Sequence, residues 1–301
     1  MRRQRERPRS PVVLVPGDGG NQLEAKLDKP SVVHYLCEKK SKDYFTLWMN
    51  LEIVLPIVID CWIDNMRLVY NETTHTTMNS PGVSIRIPGW GDTATVEWID
   101  PSRISLGNYF VSLVETLVSL GYERNVSVRG APYDFRKAPN DNQQYFEDLT
   151  KLIEDTYYLN NESKVVTIGH SMGNAYMLYF FSRKSQEWKD KFIRAHVSIA
   201  GPYGGSIKIV KAFASGYNLE QWRIILPPLK VRKEQRTMTS SSFLLPTREV
   251  WNDDVLVVTA NRNYTSHDYE QFFKDIGFPT GWQMYQDTRN LISDLPAPGV
   301  E

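Results

Sequence analysis

The chain has 301 residues, 41% of them hydrophobic and 12% aromatic, which suffices for one large core or a core with a small cap. Its 35 basic residues balance 35 acidic ones, and this excludes the charge bias of a nucleic-acid binder, so no nucleic-acid partner is expected. No spacing of His, Cys, Asp and Glu suggests a metal site, and no motif asks for a cofactor.

Residues 1–10 are basic and are followed by no apolar signal-type stretch, so no signal peptide is visible and the decamer reads as a disordered tail. Either the protein is cytosolic or its true start lies upstream of this sequence. The apolar run Val12 to Val15 predicts a buried strand. It feeds the glycine-rich loop Pro16 to Gln22, which either offers backbone N–H groups to an oxyanion or is an ordinary strand exit. Within residues 32–70, Cys37 and Cys61 enclose an apolar, aromatic stretch from Asp43 to Asp60. Glu52, Pro56 and Asp60 interrupt it, and it is too short to span a bilayer. It is a core hairpin or helix, or a patch for membrane contact.

Val83 to Ile87 and Thr95 to Ile99 alternate as half-buried strands do. Tyr109 to Leu120 carries apolar residues at helical spacing and stops at Gly121. Gln144 to Leu159 predicts a second amphipathic helix, Lys164 to Ile168 a strand, and Ala195 to Ala200 the next strand. Strands alternating with helices imply an α/β fold around a mainly parallel sheet. Residues 206–250 show no clean period and predict a lid or a disordered linker. Val255 to Thr259 then reads as a strand and Asp268 to Ile276 as a helix.

The most informative segment is Gly169-His-Ser171-Met-Gly173, with a β-branched run before it and a helix-forming stretch after it. That context defines a nucleophile elbow. Side chains two before and two after the serine would clash in so sharp a turn, so both positions are glycine, and the hydroxyl is lifted above a helix N-terminus. A serine nucleophile needs a histidine base and an orienting carboxylate, in chain order Ser, Asp or Glu, His. Only His196 and His267 follow Ser171. His196 falls in a buried strand and His267 at a helix start, with Asp253 or Asp254 within sequence reach. His170 adjoins the serine but points away from its hydroxyl, and His34 and His75 break the order. Four N-x-S/T sequons, at Asn71, Asn125, Asn161 and Asn263, lean with the cysteine pair toward the secretory route.

Several motifs in one order resemble the lecithin:cholesterol acyltransferase family, in its lysosomal phospholipase A branch: Val12 to Leu23, Cys37 to Cys61 with Ile59 to Asp64, Arg129-Gly-Ala-Pro-Tyr-Asp-Phe-Arg136, Gly169 to Asn174, and Gly201 to Gly205. The resemblance implies an α/β-hydrolase fold over residues 11–301, with residues 32–70 as a membrane-contact subdomain and 206–250 as a lid. It implies Ser171 as nucleophile, the backbone N–H groups of Asp18 and Met172 as oxyanion hole, and a Cys37–Cys61 bridge, worth about 3 kcal/mol by loop-closure entropy. It further implies membrane contact through Trp48 and Leu51, and glycosylation at Asn71 and Asn263. The implied activity is phospholipase and O-acyltransferase chemistry on glycerophospholipids through an acyl-serine, with water or a lipid alcohol as acceptor. The setting is lysosomal or extracellular, at a phospholipid membrane or lipoprotein-like surface. The family's catalytic Asp, in a Gly-Asp-Gly-rich turn, and its later His have no counterpart in this sequence. The expectation is therefore a domain truncated at its C-terminus and nearly inactive by itself. The alternative is a catalytically dead, truncated lipid-binding protein.

Overall fold

A computed structural model of the protein describes residues 9–50, 58–104, 107–218, 227–292 and 298–301. Four parallel strands run side by side in the order Val128–Gly130, Val12–Val15, Val165–His170, Ile193–Ile199. Val12 pairs with both Val128 and Val166, so the strand predicted from a bare apolar run lies between two neighbours. Its side chains split by the two-residue period of a strand. Val13 and Val15 enter the larger core with Leu149, Leu152 and Met177, while Val12 and Leu14 enter a second cluster with Phe110 and Val114. Both faces are thus covered by helices, which explains why the run is apolar throughout. Burying one such side chain contributes about 2 kcal/mol.

The helices Val111–Ser119 and Gln143–Leu159 fall where the apolar spacing predicts them. A separate antiparallel sheet joins Phe45–Trp48, Leu23–Leu27 and Val83–Arg86. Cys37 and Cys61 are bridged, with Cα atoms 5.3 Å apart, which pins the loop after Leu27 to the helix Ile59–Met66. Between the layers sits the fully buried Arg136, paired with Asp134 and donating to Met66 O and Asn79 Oδ1. Burial alone would raise the Asp134 carboxyl, but the Arg136 guanidinium outweighs it and holds the group below its ordinary value.

Three expectations need correction. Residues 95–97 of the predicted strand Thr95 to Ile99 belong instead to a short helix, Ala94–Glu97. Asp92 Oδ1 accepts the Ala94 N–H at 2.8 Å and starts that turn, while Glu97 is held by Arg124. Five alternating residues are too few to separate a strand from one helical turn. The second correction concerns 206–250, which is largely helical in its described residues: Ile207–Ser215, Pro228–Gln235, Thr239–Phe243 and Arg248–Trp251. These helices run four to nine residues each, too short for a period to accumulate. The third is the strand predicted over Val255 to Thr259, which shrinks to Val257–Val258, paired with Asn263–Tyr264. Among the described residues no helix is long and apolar enough to cross a membrane.

Candidate active site

Ser171 stands between the strand Val165–His170 and the helix Met172–Phe181 with φ 52° and ψ −125°. An L-residue rarely adopts this conformation, and it persists only where the surroundings enforce it. The enforcing contacts are visible. The Ser171 N–H donates to Ile199 O at 2.9 Å, and the Asn174 side-chain amide donates to both Ile199 O and Ser171 O. A Cβ on Gly173 would lie 2.5 Å from Val15 O and from Pro16 O, and one on Gly169 would lie 2.4 Å from Asn174 Oδ1. Both glycines are therefore required by close approach, as the motif predicts.

The loop after Val12–Val15 reaches the same point. A Cβ on Gly17 would lie 2.7 Å from Ser171 Cβ. The Gly17 N–H donates to the Tyr109 hydroxyl at 2.9 Å, and Tyr109 also hydrogen-bonds His170 Nδ1. Tyr133 donates to Pro16 O, and Asn21 closes a two-way link with the Tyr133 backbone. The loop is thus clamped from two sides, while the Asp18 N–H makes no hydrogen bond among the described residues. Met172 is the first residue of its helix, so its N–H has no partner within the helix. The two donors proposed for an oxyanion flank Ser171 from different strand ends, and the helix dipole favours negative charge there.

A cavity of about 430 Å³ opens beside Ser171 and Asp18, walled by Trp48, Trp62, Phe135 and Val231. Trp48 is half-buried, and its indole donates to Gly19 O at 2.8 Å. It forms part of this wall, and Leu51 lies outside the described residues. The Asp18 side chain, although accessible, lines the cavity, and desolvation by the surrounding protein raises its carboxyl to about 6. Glu234 on the helix Pro228–Gln235 lines the same cavity.

All five histidines are accounted for, and none hydrogen-bonds Ser171. His170 is turned to Tyr109, and burial lowers its pKa. His196 is held by Thr167 Oγ1 and Asn174 Oδ1, and burial lowers it to about 4, so it stays neutral as a support of the elbow. His267 faces Asp253 at 3.9 Å, exposed and outside the residues lining the cavity. His75 pairs with Asp287, and His34 bonds its own loop. Three residues of the site escape sequence reasoning. Asn174 stands inside a quoted motif, Tyr109 reads as an apolar helix start, and nothing marks Glu234.

The fold and site define an α/β-hydrolase built around a strand–Ser–helix elbow. A sequence profile described as lecithin:cholesterol acyltransferase matches residues 44–298. The chain is 55% identical, over 97% of its length and 71% of the relative's, to "Lysosomal phospholipase A and acyltransferase" of Bos taurus. The Homo sapiens protein of that name is 54% identical over 97% of this chain and 70% of its own. "Phosphatidylcholine-sterol acyltransferase" of Gallus gallus is 46% identical over 97% and 70%. The chain belongs to the lecithin:cholesterol acyltransferase family.

Proposed function

We propose that this protein is a serine lipid acyl hydrolase and O-acyltransferase acting on glycerophospholipids. The observation that carries the reading is the meeting of Ser171 with the Asp18 and Met172 N–H groups at an apolar cavity. Ser171 Oγ bonds to the ester carbonyl carbon, and the two N–H groups receive the oxyanion. The C–O bond to the lysolipid then breaks, the lysolipid oxygen takes a proton, and the acyl group stays on Ser171. Water or a lipid alcohol next attacks the acyl-serine and releases acid or ester. The names of the relatives, phospholipase A and acyltransferase, support both outcomes.

The proton of Ser171 needs an acceptor, and none of the five histidines supplies it by hydrogen bond. Residues 1–301 by themselves are therefore expected to turn over slowly. Residues 206–250 act as the lid over the cavity. Residues 32–70, with Trp48 and Leu51, contact the phospholipid surface or a lipoprotein-like particle. The bridged cysteines support a secretory location, lysosomal or extracellular. Asn263 is exposed and Asn71 half-buried at a turn, and both accept glycans.

The test supplies the missing base from solution. Residues 1–301 are assayed on 4-nitrophenyl octanoate with rising imidazole, beside Ser171→Ala. The expected result is an imidazole-dependent rate above that of Ser171→Ala, with an octanoyl adduct on Ser171 by mass spectrometry. Equal rates and no adduct would refute the proposal. That outcome, with vesicle binding intact, would favour the second reading, a lipid-binding protein without chemistry, which rests on the same displaced histidines.

A further inference from the structure

Glu234 is an odd residue for a lipid cavity. It is only 3% exposed, and its Oε1 is buried without a hydrogen-bond partner. Among the described residues it forms no ion pair. The cation whose charge acts on it, Arg136, is already engaged by Asp134, Met66 O and Asn79. The charges that act on Glu234 are Asp18, which disfavours its ionisation, and Arg136, which favours it less; burial dominates, and the carboxyl is raised to about 8. Lys208 lines the same cavity, and its ammonium makes no ion pair with Glu234 among the described residues. An acid in this setting is neutral below that value. It then offers an O–H donor and a C=O acceptor on one group. A buried polar atom with no partner is costly to fold around, and a ligand that satisfies it recovers that cost.

We propose that the Glu234 carboxyl is the recognition contact for the hydroxyl of an aliphatic alcohol held in the Ser171 cavity. This rests on the acyl-transfer reading above, where a lipid alcohol competes with water for the acyl group. A hydroxyl matches the carboxyl as both donor and acceptor, and the aromatic and aliphatic walls receive its chain. Glu234 is thus a specificity residue for the acceptor, on the lining of the same cavity as Ser171.

The test is equilibrium binding of 1-octanol and 1-chlorooctane to residues 1–301, read by the shift in tryptophan emission, since Trp48 and Trp62 line the cavity. Octanol is expected to bind about tenfold better relative to chlorooctane than it does after Glu234→Leu, the worth of one hydrogen bond to a buried group. Glu234→Gln keeps a donor and an acceptor and retains most of the preference. Should the leucine variant not fold, Glu234→Met takes its place. A preference unchanged in a folded leucine or methionine variant would overturn the proposal, as would its equal loss in Glu234→Gln. Ser171→Ala leaves the preference intact. Alcohol preference without acylation of Ser171 would sink the acyl-transfer reading but not the contact, and acylation without preference would do the reverse.

Discussion

Replacing Tyr109 by phenylalanine removes one oxygen and tests how the loop beside Ser171 is held. The hydroxyl accepts the Gly17 N–H at 2.9 Å and also bonds His170 Nδ1. Gly17 is buried, so its N–H would be left without a partner, at a cost of about 1–3 kcal/mol. His170 is half-buried, and water replaces its lost partner at little cost. The sum is about 2 kcal/mol, and at about 2 °C per kcal/mol for a chain of this size the melting temperature falls about 4 °C. The Asp18 N–H rides on the same loop. Losing an oxyanion donor outright costs about 10²–10³ in rate, so loosening one is expected to cost about tenfold in the imidazole-supported turnover of Ser171. A melting temperature unchanged within about 1 °C, together with unchanged turnover, would refute the argument that this phenol clamps the loop. A lower melting temperature with full turnover would confine Tyr109 to packing.

Two further outcomes are expected. Cys37→Ser with Cys61→Ser opens a loop of sequence separation 24 and should lower stability by about 3 kcal/mol in denaturant titrations, and a loss below about 0.5 kcal/mol would mean the unfolded chain is already compact there. His196 is depressed from 6.5 to about 4, so the unfolded chain takes up a proton at a pH where the folded one does not. Its contribution is complete above 6.5, is lost as the pH falls toward 4, and amounts to at most about 3 kcal/mol. His196→Asn should flatten that part of the stability–pH curve, and an unaltered slope would show that His196 is protonated without strain on its neighbours.

The parts of the fold legible in the sequence obey local rules that nothing overrides. Val12 to Val15 is apolar on both faces because helices cover both faces, and Gly169 and Gly173 are dictated by steric approach at the elbow. The Ala94–Glu97 turn was not legible, because Asp92 sets it from outside the alternating window. The helix Pro228–Gln235 was hidden for another reason. It buries only Val231 and Glu234 among its eight residues, so it has no apolar stripe to read. Glu234, Tyr109 and Asn174 act through partners distant in sequence or through burial, and no spacing rule reports either. The apolar company of Trp48 left a core and a membrane-contact reading open, and its indole bond to Gly19 O, which ties it to the loop beside Ser171, has no sequence signal.

The helix that carries Glu234 enters the chain some sixty positions after Ser171, with which it shares the lining of one cavity. On the reading proposed above, chemistry and choice of acceptor therefore sit on separable pieces of polypeptide. The part of the cavity beside Ser171 is made by strand ends locked through close backbone contacts. Short helices of residues 206–250 carry much of the remaining lining, and one of them is tied by Lys230 to Asp60 of the helix Ile59–Met66. On the proposed reading, the acceptor alcohol can be changed through residues 206–250 while the reacting atoms stay put.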